Sequence, residues 1–95
     1  MGSTFEAVQF GRSTTEVLKT RYKRYIEEAE LLYGNDPYSG TLSTCCGLNI
    51  TTLIFDTNEQ AEGRIMETHE KRDAAMAVQV REPELHWLIG GWCAT

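Results

Sequence analysis

The chain has 95 residues, with nine Lys or Arg against fourteen Asp or Glu, a formal net charge of −5. That length makes one domain, residues 1–95, with one modest core. The 41% apolar and 24% charged composition is that of a folded chain rather than a disordered one, no apolar run approaches a membrane span, and the acidic balance argues against direct binding to nucleic acid or to an anionic membrane.

Phe5 to Phe10 reads as a first strand, with aromatic and β-branched residues and Gly11 to end it. Its alternation is imperfect, so either Phe5 and Ala7 or Val8 and Phe10 face inward. Ser13-Thr14-Thr15-Glu16 is a capping-box pattern with Ser13 as N-cap. A helix of about 20 residues follows, carrying Leu18, Tyr22, Tyr25, Ala29 and Leu32 at helical spacing and Gly34 beyond its end. Asn35 to Gly40 is a turn cluster, in which Pro37 bars Asp36 from helical space. Thr41 to Cys46 alternates as a second strand. Leu48 to Phe55 either forms a separate strand or continues it past a bulge at Gly47.

Thr57 to Gln60 is a second capping box, opening a helix that reaches Arg72. Its apolar stripe is thin, with Ala61, Ile65, Met66 and His69. Glu67 and Lys71 form a favourable pair one turn apart. In Ala75 to Arg81, Met76, Val78 and Val80 point one way and Ala77, Gln79 and Arg81 the other. Glu82-Pro83-Glu84 breaks this strand, and Leu85 to Ala94 returns as the second arm of a hairpin. Gly90-Gly91 inside it marks a bulge or a close backbone approach. The expected fold is α+β: a single antiparallel sheet of four to five strands with two helices packed on one face, in the order β-α-β(β)-α-β-β, a ferredoxin-like arrangement being one candidate.

Catalytic and cofactor signatures are missing. Gly-x-Ser-x-Gly, His-Glu-x-x-His and the glycine-rich phosphate loops do not occur. Cys45, Cys46 and Cys93 are odd in number and lack the spacing of a zinc site or a secreted disulfide framework. The first residues have neither the basic nor the apolar region of a signal peptide. These features predict a cytoplasmic, non-enzymatic protein with no cofactor and no metal. Cys45-Cys46 with His69 or His86 is the residual candidate for redox or metal chemistry. Its simpler reading is ordinary strand and helix residues.

The charge is uneven. Residues 1–34 hold five basic and five acidic residues, while residues 35–95 hold four and nine. The second helix region collects Glu59, Glu62, Glu67 and Glu70. Such a row either solvates a surface or imitates a phosphate row for a basic groove. The basic stretch Lys19 to Arg24 on the first helix is the competing contact surface. Trp87 and Trp92 differ in parity along the last strand, so they face opposite sides of the sheet. One can be core. The other needs a helix, a second chain or a partner to cover it, and Trp is enriched at binding hot spots. Glu59, Glu62, Glu67, Glu70, Tyr38, Trp87 and Trp92 are therefore the expected partner-binding residues.

The segment Tyr33-Gly34-Asn35-Asp36-Pro37-Tyr38-Ser39-Gly40-Thr41-Leu42-Ser43-Thr44, after a Glu/Ala-rich helix, resembles one found in small proteins of phages and mobile elements. Small acidic α+β chains of that kind resemble anti-defence proteins, including anti-CRISPR inhibitors. The resemblance implies occlusion of a nucleic-acid groove or a partner surface, and transfers no site residues. The resulting expectation is a protein-binding inhibitor or modulator of a larger protein or ribonucleoprotein, acting inside the host cell through an acidic and aromatic surface. The alternative is a homo-oligomer, such as a homodimer, that binds a small ligand.

Overall fold

The computed structural model describes residues 2–34, 39–70 and 73–94, with Tyr33 described by its backbone alone. The elements are β1 (Ser3–Gly11), α1 (Thr15–Tyr33), a 3₁₀ turn (Leu42–Thr44), β2 (Leu48–Phe55), α2 (Asn58–Thr68), β3 (Ala75–Val80) and β4 (His86–Ala94). The chain is α+β, with one four-stranded sheet and two helices in the expected order. The strands lie β1-β4-β3-β2.

Two details of the expected sheet are corrected. β1–β4 and β3–β4 are antiparallel, but β2 and β3 run parallel, so the sheet is mixed. A βαβ crossover through α2 returns the chain to the end from which β2 began. The helices also pack on opposite faces rather than one. α1 covers Ala75, Ala77, Trp87 and Ile89 with Leu18 and Tyr22. α2 covers Val78, Val80 and Leu88 with Ala61 and Ile65. The cause is the composition of the two central strands. Trp87, Leu88 and Ile89 are consecutive and all buried, as are Ala77 and Val78, so both faces of β3 and β4 require a cover. β1 shows the same thing: Val8 and Phe10 pack towards α1, Phe5 and Ala7 towards α2.

The expected strand over Thr41 to Cys46 is instead the 3₁₀ turn. Its hydroxyls compete with strand pairing. Thr44 Oγ1 donates to the Thr41 carbonyl at 2.9 Å, and the Thr41 and Ser43 hydroxyls share a bond of 2.6 Å. The turn is fastened to the end of β4, where Ala94 N–H donates to Thr44 Oγ1 at 3.0 Å and Gly40 N–H to the Ala94 carbonyl at 2.8 Å. Of the two alternatives for Leu48 to Phe55, the separate strand is the one formed, and its register shifts between Ile50 and Ile54 rather than at Gly47. There Thr51 Oγ1 donates to the Ala77 carbonyl at 2.8 Å in place of a ladder bond.

Thr14, not Ser13, caps α1, accepting from Val17 N–H, while Thr57 caps α2 as expected. α1 outruns the sheet, so Leu31 and Leu32 stand 86% and 78% exposed and Leu32 is no part of the buried stripe. α2 ends at Thr68, short of the expected Arg72. Arg72, Lys71 and the turn residues Asn35 to Tyr38 lie outside the described residues.

Candidate docking face

Ala61 and Ile65, one turn apart, are the two α2 residues fully buried against the sheet. Helical geometry then places Glu59, Gly63 and Glu67 on the opposite side, with Glu62 and Met66 along the flank. Glu59, Glu67 and Glu70 are exposed and Glu62 is half-buried. A Cβ at Gly63 would meet nothing within 4 Å, so the crest of the helix is open between its glutamates. Among the described residues the one ion pair is Arg81 with Asp56, at 2.9 Å, and it involves none of these glutamates.

The C-terminal end of this flank meets aromatic side chains. Met66 is 42% exposed. Its carbonyl accepts the Trp92 indole N–H at 3.0 Å, and Trp92 sets its ring against Phe5 edge-on, with centroids 5.4 Å apart. Both rings are half-buried. Trp92 is thus covered in part by a helix of its own chain and keeps part of its surface open near the C-terminal end of α2. Trp87 is corrected to a core residue. It is 4% exposed on the α1 face and spends its indole N–H on the Ser13 carbonyl at 3.0 Å. Tyr38 lies outside the described residues.

Both histidines serve as linkers. His69 is buried where β3 has not yet begun, and its ring substitutes for the missing strand. Trp92 N–H donates to His69 Nδ1 at 3.0 Å, and His69 Nε2 lies 3.2 Å from the Asp73 carbonyl. Accepting at Nδ1 fixes the ring proton on Nε2. A methyl at Gly91 would strike this ring at 2.8 Å, which explains the close backbone approach read from Gly90-Gly91. His86 Nδ1 donates to the Glu84 carbonyl at 2.6 Å, and its Nε2 lies 2.7 Å from Asn58 Oδ1. It therefore ties β4 to the first residue of α2.

The basic stretch on α1 faces elsewhere. Lys19, Lys23 and Arg24 are exposed, and Arg21 reaches back to the Gly11 carbonyl at 3.4 Å. Tyr22 is buried among the core residues, and burial first, then nearby thiols and Glu6, push its phenol far above the usual range. Reading along the chain paired Cys45 with Cys46. The fold separates these two, leaving Cys46 exposed and packing Cys45 against the buried cluster that includes Cys93 of β4. Only the topology shows this, because Cys45 and Cys93 are 48 positions apart in the sequence. Among the described residues no group of three His, Cys, Asp or Glu is placed to hold a metal ion, and no helix is long and apolar enough to cross a membrane. No protein-family model, no curated protein and no solved structure matches the chain.

Proposed function

We propose that this protein is a non-enzymatic docking protein that inhibits or modulates a larger, basic, nucleic-acid-binding partner, and that it docks through the outer face of α2. The observation that carries this reading is the juxtaposition on α2. Glu62 and Glu67 lie on the same helix as the part-exposed Met66, whose carbonyl holds the half-buried Trp92, with Glu59 in the first turn of that helix and Glu70 just beyond its end. The carboxylates would occupy positions that phosphates otherwise fill, and Trp92 with Met66 would supply a desolvated anchor. Glu59 and Glu67 are eight residues apart, about 12 Å along the helix, so they can address two separate cations. Intracellular inhibition of the anti-CRISPR type is the form this reading takes for a phage or mobile-element protein.

The test is affinity capture from a bacterial lysate with mass spectrometry, in parallel for the wild type and a Glu59→Lys, Glu62→Lys, Glu67→Lys variant. The expected result is a basic nucleic-acid-binding partner that competing nucleic acid displaces and the variant fails to retain. Equal retention by the variant contradicts the reading.

A homo-oligomer is the second reading. It is favoured by the nine-residue edge strand β1, which pairs with β4 on one side only, and by the exposed Leu31 and Leu32. Light scattering that gives a concentration-independent monomer mass removes it.

A further inference from the structure

A cavity of about 340 Å³ opens between α1 and the segment that runs from the 3₁₀ turn to the start of β2, outside the docking face. That volume suits a small molecule. Lys19, Tyr22, Lys23 and Ile26 recur at three and four residues along α1, so they form one stripe of its wall. Leu42 and Leu48 line the facing side.

Two features of this lining point to a ligand. Tyr22 is only 6% exposed, yet its hydroxyl bonds to none of the described residues. Among those residues no buried side-chain polar atom is both sealed from solvent and unbonded. The Tyr22 hydroxyl therefore keeps contact with solvent, and the cavity that Tyr22 lines is its opening. Burial above all keeps the proton on this phenol, so the group is a donor without an acceptor. A donor this deep gains most from a bound partner. The second feature is charge. Lys19 and Lys23 are exposed, and neither enters an ion pair among the described residues. Glu6 supplies the opposite sign further in, where its Oε1 accepts from the Tyr25 hydroxyl and the Leu42 N–H. The mouth of the cavity thus favours an anion, and the inner end a neutral acceptor.

We propose that this cavity binds a small carboxylate with an apolar body and a neutral hydrogen-bond acceptor at its far end. The carboxylate sits at the mouth with Lys19 and Lys23. The body lies on Ile26, Leu42 and Leu48 and leaves water there. The inner acceptor takes the Tyr22 O–H. A ligand without that acceptor expels the water from Tyr22 and replaces it with nothing, so the hydroxyl sets specificity while the lysines set the sign of the charge. The site lies on the α1 side of the sheet and is independent of the docking face on α2.

The test titrates the full chain with three probes and follows its backbone amides by NMR. 4-Hydroxyphenylacetate carries both the carboxylate and the acceptor, phenylacetate the carboxylate alone, and tyramine an ammonium in place of the carboxylate. Both acids should give saturable shifts at Lys23, Ile26, Leu42 and Leu48 and leave α2 undisturbed. 4-Hydroxyphenylacetate should bind several-fold more tightly than phenylacetate, and tyramine should not bind. Lys19→Gln with Lys23→Gln, both at exposed positions, should weaken both acids several-fold. Tyr22→Phe, with its folding checked by thermal unfolding, should erase the preference between the two acids. The absence of saturable shifts at these residues with either acid overturns the site. Tyramine binding as tightly as the acids, or a lysine variant that binds them like the wild type, overturns the anionic ligand. Equal affinity of the wild type for the two acids overturns the inner acceptor, whether or not Tyr22→Phe folds.

Discussion

Single residues in this fold join elements that the chain order keeps apart. Glu6 Oε1 accepts from the Tyr25 hydroxyl at 2.9 Å and from Leu42 N–H at 3.0 Å, so one carboxylate on β1 fixes both α1 and the 3₁₀ turn. Truncating it strands a half-buried N–H, and Glu6→Ala should cost about 1–3 kcal/mol in urea unfolding. His69 and Gly91 form a tighter pair, because a methyl at 91 collides with the ring at 2.8 Å. Gly91→Ala should cost about 1–3 kcal/mol, and clearly less in a His69→Ala background, where the obstacle is gone. A double-mutant cycle measures that difference; additive costs would show that the ring is not the obstacle.

At the scale of elements, α2 is the unit that both the fold and the proposal depend on. Gly63 lies on the outer side of α2 with open space for a Cβ, so Gly63→Ala should stabilise the protein by about 0.4–1 kcal/mol in thermal or urea unfolding. The leucines at the end of α1 carry no core burden, and Leu31→Gln with Leu32→Gln should shift stability by less than about 0.5 kcal/mol. The elements legible in the sequence were those with a local signature. Thr57 announces α2, Gly34 closes α1, and the alternation of Met76, Val78 and Val80 marks β3. What was not legible depended on partners distant in the chain. The Thr41 to Cys46 segment has strand-like alternation, but its hydroxyls bond locally, the Thr44 and Cys45 N–H groups close on Thr41 and Leu42 of the same turn, and its link to β4 is made by the Thr44 hydroxyl rather than by a backbone ladder. The two-sided cover of the sheet was hinted at by Trp87-Leu88-Ile89, whose unbroken apolar run outweighs the alternation in β3. Of the expected site, the exposed glutamates could be read from helical spacing. The fate of the tryptophans could not, because it depends on which helix covers which face.

For the molecule as a whole, the net charge of −5 resolves into two surfaces. α1 and α2 lie on opposite sides of the sheet, so the lysines of α1 and the glutamates of α2 stand on different faces rather than neutralising each other. The proposed function assigns the glutamate face to a macromolecular partner. The most direct measurement is the affinity of the captured partner for the wild type, for the Glu59→Lys, Glu62→Lys, Glu67→Lys variant, and for a Lys19→Gln, Lys23→Gln variant, with folding of each verified by circular dichroism. The account predicts a loss of about 100-fold or more for the glutamate variant, or about 2.7 kcal/mol, and an unchanged Kd for the lysine variant. A glutamate variant that binds like the wild type, or a lysine variant that alone loses binding, would contradict it.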